Sequence, residues 1–443
     1  MSPTVVIGAG LSGLVRAHGL LRAGHEVLLL EASDRAGGVV RSEHVDGFLL
    51  ELGPNTVRPT PEIWELVREL GLDGQALLSD PRAPRYIDFG GRLQALPMSP
   101  PALLRTSLLS TRGKFRLLAE PFIKRGENPA ESVRSFFTRR LGPEVAERLV
   151  EPFVSGIFAG DGSRLCASAC FPRLALWEQE DGSLLRGAIR ERLRVRGQRP
   201  PVRGLLSFRE GLDTLSRALA ARVGKSLKTE TPVDKILHAG DSWIVAAVGK
   251  EFPASRVVVA TPARQAARLV EAFAPEAASA LSAIPHPPLA VLHLAWPLAA
   301  FPRRPAGFGH LVVPQEGRRI LGAVWSSSLF PDRAPSGQAL LTIFLGGARD
   351  PDASSLSDGE LVRLAARDVE SALNIREEPR MLSMTRYARS IPQYVAGHAA
   401  RIRVLEETEQ RFPGFVFLGN YRGGISVGDV IRQALALPSA SPE

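Results

Sequence analysis

The chain has 443 residues, 44% of them hydrophobic and 23% charged, so it can bury a sizeable core and is no disordered polyelectrolyte. Two cysteines, Cys166 and Cys170, exclude a disulfide framework, and their C-x3-C spacing without nearby histidines makes a poor metal site. The net charge of +9 leaves nucleic acid, a membrane surface or an anionic small molecule as partners, and no nucleic-acid motif accompanies the arginines.

The chain enters a strand almost at once. No charged leader or apolar signal core precedes it, and no apolar run of about 20 residues follows, so neither a secretion signal nor a spanning helix is expected. With so few cysteines, the expected location is the cytoplasm. Residues 4–7 (TVVI) are β-branched and apolar, which predicts a buried strand. Residues 8–13 (GAGLSG) then make a glycine-rich turn, and helical spacing runs on to Gly24, placed as a C-terminal cap. Residues 27–30 (VLLL) predict a second buried strand, ending at Glu31.

That β-α-β unit carries a dinucleotide fingerprint. Gly8 permits the tight turn, Gly10 lets backbone approach a pyrophosphate, and Gly13 lets helix and strand pack closely. Ala9, Leu11 and Ser12 complete the loop, whose phosphate would sit on the helix N-terminus. Glu31, with Ala32 beside it, stands where a carboxylate accepts from ribose hydroxyls. The following stretch holds Arg35, Gly37, Gly38 and Val39: paired glycines let a loop lie flat against a cofactor, and an arginine can balance a second phosphate.

Further along, residues 95–195 read as amphipathic helices with proline punctuation. The stretch PALLRTSLLSTRGKFRLLAEPFIKR (101–125) mixes apolar and basic residues with no acid before Glu120, which suits either a packed subdomain or a surface that dips into a membrane. RGQRPPVRG (196–204) reads as a linker, GLDTLSRALAARV (211–223) as a helix and RVVVATPA (256–263) as a strand and turn. Residues 288–350 are strand-rich, 358–374 helical, and FVFLGNYRGG (415–424) is a strand entering a glycine turn before a last helix over 427–437.

Several of these stretches together resemble the protoporphyrinogen oxidase family. They are ELGPNT (51–56), GIFAGD (156–161) followed by CFP (170–172), GFGHLV (307–312), FPDRAP (330–335), IPQYxxGH (391–398) and GNYxxG (419–424). They occur in the family's order across essentially the whole chain. The resemblance implies an α/β plus α+β fold: a discontinuous Rossmann-like FAD-binding domain (1–75, 203–280 and 399–443), a strand-rich substrate domain (76–94 and 281–398), and a helical, membrane-facing subdomain (95–195). It implies noncovalently bound FAD, a tetrapyrrole substrate oxidised by six electrons in haem biosynthesis, and molecular oxygen as the final acceptor. A homodimer and peripheral contact with the inner face of the cytoplasmic membrane belong to the same expectation.

The resemblance also assigns residues. Gly53, Pro54, Asn55 and Thr56 fall near the flavin ring, and Val233 meets the adenine through its backbone. Ile425, Ser426 and Val427 line the pyrimidine edge at a helix N-terminus that would stabilise negative charge on reduced flavin. Asn55 either assists the chemistry as a substrate or proton-transfer contact, or only braces the turn. Arg85 matches the arginine that pairs with a substrate propionate, and Arg58 is a second candidate cation. Leu311, Val324 and Phe344 match apolar positions that sandwich the macrocycle, each equally readable as strand core. Gly428, Asp429 and Val430 depart from the N-D-C found in many relatives. Coproporphyrinogen III, with four propionates, is the alternative substrate, and an amine oxidase or carotenoid desaturase the alternative enzyme.

Overall fold

The computed structural model describes residues 2–194, 202–240 and 242–438. Most of the 196–204 linker lies outside the described residues.

Four short, largely apolar strands and a two-residue edge strand assemble into one parallel sheet, in the spatial order Phe415–Phe417, Arg256–Val259, Thr4–Ile7, Val27–Leu30 and, at the edge, Leu227–Lys228. These strands come from three distant stretches of the chain. The four longer runs are apolar at consecutive positions because both faces are covered. Val6, Leu29 and Val258 face helices Leu11–Arg22, Asp213–Val223 and Val427–Ala436. Val5, Ile7, Leu30, Val257 and Val259 face the opposite layer, built from helices Ala263–Val270 and Pro275–Ser282 and a three-stranded meander over 233–254.

A second sheet has seven strands, in the order Arg380–Tyr387, Leu289–Pro297, Gln338–Gly346, Ile320–Val324, Gly309–Val312, Arg85–Phe89 and Arg92–Ala95. Its pairings are antiparallel except that of Gly309–Val312 with Arg85–Phe89. One face, with Leu292, Trp296, Ala323, Leu341 and Ile343, is sealed by Leu361, Ala365 and Val369 of helix Asp358–Leu373. Ser357 and Glu360 cap that helix reciprocally, fixing its entry angle.

Between residues 100 and 194 the chain is helical. A small core of Val133, Phe136, Phe137, Val154, Phe158, Leu165 and Leu184 holds this region together. Within it, Arg140 is fully buried and pairs with Glu120, whose carboxylate also accepts from Ser183 Oγ at 2.5 Å and the Leu184 amide at 2.8 Å. A buried ion pair so thoroughly hydrogen-bonded leaves neither charge orphaned. Cys166 is buried beside Pro129 and Ser168, and burial pushes the Cys170 thiol up to about 12, so both behave as packing residues.

Candidate active site

The glycine turn follows the first strand of the parallel sheet. A methyl group added at Gly13 would lie 1.9 Å from the Gly8 carbonyl oxygen, so only glycine lets the helix approach its strand. At Gly10 the same methyl group would meet nothing within 4 Å: the space beside it is open. Gly10 caps helix Leu11–Arg22 without any side-chain bond, leaving first-turn amides aimed at that space. A dinucleotide pyrophosphate therefore fits the residues present.

Glu31 sits one step beyond the second strand. Its Oε2 accepts from the Ala9 amide at 2.7 Å, and Oε1 from the Ser33 amide and hydroxyl at 2.9 and 2.7 Å. The carboxylate is thus oriented at the mouth of the loop, next to exposed Ala32. Thr231 donates its amide to the Glu31 carbonyl at 2.8 Å, which brings the strand beginning at Val233 to the same corner. Gly37 N donates to Ala9 O at 2.8 Å, and a methyl group at Gly38 would stand 3.1 Å from Gly10 Cα. Arg35 Nη1 and Nη2 donate to the carbonyls of Ala36 and Gly38 at 3.1 and 2.6 Å, so in this structure the guanidinium braces the loop itself. Val39 is 61% exposed although apolar, and a methyl group at Gly53 would clash with its carbonyl at 1.9 Å. The loops 37–39 and 53–56 are therefore interlocked, with an apolar side chain left facing outward.

The second turn, Gly53–Thr56, leaves a buried strand whose last carboxylate is heavily engaged. Glu51 accepts from Ser42 Oγ at 2.6 Å and the Leu212 amide at 2.9 Å, and lies 3.4 Å from Arg333 of the FPDRAP motif. Burial is the larger influence and pushes its carboxyl up to about 7. The main chain is held as well: His293 Nε2 lies 3.1 Å from the Glu51 carbonyl, and Tyr387 OH donates to Leu52 O at 2.9 Å. Asn55 Nδ2 donates to Gly53 O at 3.3 Å, the turn-bracing arrangement. His293 and Tyr387 carry no local signal in the sequence, and ELGPNT and FPDRAP contain Glu51 and Arg333 without singling them out. Nothing local in the sequence links Arg333 to Glu51.

Register on the seven-stranded sheet decides where the remaining candidates point. Arg85 pairs with Gly309 and Gly309 with Val324; two residues further, Leu311 pairs with Gly322 and Gly322 with Phe344. Side chains directly opposite share a face, as do those two apart along a strand. Arg85, Leu311, Val324 and Phe344 therefore lie on one face, opposite the helix-covered one. His293, paired with Thr342, and Tyr387, two residues beyond Thr385, belong to that same face. The Gly53–Thr56 turn is thus moored to the face that carries the apolar candidates. All four of those residues are only half-buried. Leu311 also touches helix Glu151–Phe158, where a methyl group at Gly156 would come within 2.2 Å of it.

Arg85 lies 5.2 Å from the Phe308 ring centroid. Burial, then the neighbouring Arg58, lowers its pKa. Among the described residues neither guanidinium has a carboxylate partner, an arrangement that favours an incoming anion. Ser426 caps the last helix reciprocally with Asp429, and Ile425 packs on the helical region's core while Val427 opens the helix.

Residues 11–436 match the profile described as flavin containing amine oxidoreductase. The chain belongs to that family. Its flavin is FAD, and the glycine loop, Glu31 and the 37–39 loop are the residues that fit it. This oxidoreductase is 33% identical to protoporphyrinogen oxidase 1, chloroplastic, of Arabidopsis thaliana, over 97% of this chain and 86% of the plant protein. It is 29% identical to coproporphyrinogen III oxidase of Bacillus subtilis, over 98% and 97% of the two chains. A solved structure from Exiguobacterium, provisionally assigned as a protoporphyrinogen oxidase, superposes with a TM-score of 0.80 at 24% identity, over 98% of this chain and 97% of its own, a likeness of fold. No helix among the described residues is long and apolar enough to cross a membrane.

Proposed function

We propose that this flavin oxidoreductase converts protoporphyrinogen IX to protoporphyrin IX, passing six electrons in three pairs to molecular oxygen with release of hydrogen peroxide. The carrying observation is the shared sheet face: an apolar floor of Leu311, Val324 and Phe344, a cation at one end in Arg85, and the Gly53–Thr56 turn moored beside it. A large apolar disc bearing carboxylates on one edge matches those features.

Noncovalently bound FAD supplies the two-electron acceptor. In this reading, residues 1–75, 203–280 and 399–443 hold it. The amides at the start of helix Leu11–Arg22 bind pyrophosphate, and Glu31 takes the ribose. The main chain of Val233 meets the adenine, and Gly53–Thr56 with Ile425–Val427 line the ring. Residues 76–94 and 281–398 build the substrate face. There Arg85 fixes a propionate, assisted by Arg58, while Leu311, Val324 and Phe344 hold the macrocycle flat and exclude water. Asn55 serves as a turn brace whose amide stays at the ring's edge.

Residues 95–195 are the membrane-facing part of the same proposal. Met98, Leu104, Phe115, Leu118 and Phe122 are exposed, Phe122 at 83%, and Leu185, Ile189 and Leu193 form an exposed stripe along helix Leu184–Arg194. An apolar surface set among arginines suits peripheral binding to anionic lipid, and in this proposal that lipid is the inner face of the cytoplasmic membrane.

A coproporphyrinogen substrate is the second reading, favoured by a second guanidinium, Arg58, next to Arg85 and by the Bacillus relative. The test is steady-state turnover on both porphyrinogens, read by porphyrin fluorescence and oxygen uptake. A higher kcat/KM on protoporphyrinogen supports the main reading, and the reverse ranking selects the second. Turnover of an amine with neither porphyrinogen oxidised would overturn both.

A further inference from the structure

The segment 391–398 (IPQYVAGH) has no part in the site so far, yet three distant stretches converge on it. Gln393 Nε2 donates to the Phe158 carbonyl at 2.7 Å, and the Cys166 amide donates to the Tyr394 carbonyl at 2.8 Å, which ties the segment to the helical region. The Gln393 amide donates to Pro285 O at 2.9 Å, which ties it to the approach to the seven-stranded sheet. The third attachment is the Tyr394 hydroxyl. It donates to Asn420 O at 2.6 Å and accepts from the Gly424 amide at 3.2 Å.

That hydroxyl spans both ends of the 420–424 turn, and the turn leads directly into Ile425, Ser426 and Val427. Gly423 and Gly424 have φ of +66° and +119°, a left-handed path without a regular hydrogen-bond ladder of its own. From Ser426 onward the chain is fixed by its helix cap. Just before it, one side chain from elsewhere in the sequence closes the turn. Tyr394 itself is held firmly: it is buried, and its ring stacks on His398 with centroids 4.0 Å apart and 15° between planes. Burial, followed by Arg401, pushes His398 down to about 4, so the stacked imidazole is neutral, and burial keeps the Tyr394 phenol protonated as a donor.

We propose that Tyr394 is a positioning residue for the flavin: its hydroxyl sets the pose of the Ile425–Val427 backbone against the cofactor ring and links that pose to the helical region. The inference rests on the reading that Ile425–Val427 line FAD. Tyr394→Phe removes the hydroxyl while keeping ring, volume and stacking. Tyr86→Phe is the matched control, since the Tyr86 hydroxyl likewise donates to a backbone carbonyl, Ala306 O at 3.3 Å, and its ring packs on the helix-covered face of the sheet.

The experiment titrates FAD into each apoprotein and records the visible flavin spectrum and reduction potential of each holoenzyme. Tyr394→Phe is expected to weaken FAD binding about tenfold, with a shifted flavin band and potential, while Tyr86→Phe matches the wild type in all three. Equal behaviour of the two variants overturns the inference. Should Tyr394→Phe not fold, amide exchange in the wild-type holoenzyme decides: a protected Gly424 amide supports the clasp, and rapid exchange there overturns it. A wild-type protein unable to bind FAD would sink the functional reading and this inference together, whereas a yellow wild type matched by Tyr394→Phe sinks this inference alone.

Discussion

The two sheets expose themselves to ligand in opposite ways. The parallel sheet is covered on both faces by apolar layers, so only its strand ends and connecting turns remain free. Whatever binds there must be held by backbone amides, by glycines that keep space open, and by a carboxylate at a strand's end. The seven-stranded sheet is sealed on one face by helix Asp358–Leu373 and carries a half-buried row of mixed character on the other. What binds there must be held by side chains projecting from a rigid floor. Recognition by main chain and recognition by side chain should therefore fail in different ways when disturbed.

The largest expected effect is at the turn. Gly10→Ala should weaken FAD binding by about a hundredfold or more, because the added methyl group fills the space reserved for pyrophosphate. The melting temperature of the apoprotein should stay unchanged, since nothing in the protein lies within 4 Å of that methyl group. Flavin content on purification and apoprotein melting measure the two halves. A loss of folding with flavin affinity retained would break the distinction between the sheets. Next comes Arg85→Ala, expected to lower kcat/KM by about tenfold to a hundredfold, the value of a charge-assisted hydrogen bond, with FAD affinity intact. Phe344→Ala should raise KM by about tenfold through lost apolar contact and leave the flavin spectrum alone.

A different kind of effect, on stability against pH rather than on binding, is expected where the two regions are joined. The Glu51 carboxyl has a folded pKa near 7, above its ordinary value. Its contribution is therefore complete below about pH 4.5 and fades as pH rises through 7, on the order of 3 kcal/mol. His293, pushed down to about 4 by burial, has the opposite sign: its contribution is present above its ordinary pKa and lost as pH falls toward 4. Glu51→Gln should flatten the alkaline loss in urea unfolding. An unchanged slope would mean that Glu51 does not titrate where its burial places it. The smallest effect belongs to Phe122→Ser, which should reduce flotation with anionic liposomes while leaving turnover of dispersed substrate unaltered.

This contrast also explains which parts were readable in advance. The glycine loop and Glu31 are legible because a backbone site writes its requirements into consecutive residues, as the close approach at Gly13 requires. Leu311, Val324 and Phe344 are ambiguous in the sequence because an apolar residue in a strand looks the same whether it faces core or ligand. Only the register linking Leu311, Gly322 and Phe344 assigns them to the face opposite helix Asp358–Leu373. ELGPNT and FPDRAP contain Glu51 and Arg333, but no local signal shows that these two meet each other, His293 and Tyr387 at one junction. Its members are up to 336 positions apart by subtraction of their numbers, 387 minus 51, and meet only after both sheets form. Tyr394 stood within a recognised motif, but its partners, Asn420 O and Gly424 N, are main-chain atoms that side-chain identities do not reveal.

The central claim is that FAD and a tetrapyrrole meet over one face of the seven-stranded sheet. Anaerobic mixing of the yellow holoenzyme with protoporphyrinogen IX, followed at the flavin band, tests it most directly. The account predicts saturable bleaching, with one molecule of porphyrinogen reducing three of flavin, since each flavin takes one of the three electron pairs. A flavin band left untouched by protoporphyrinogen yet bleached by an unrelated donor would contradict it.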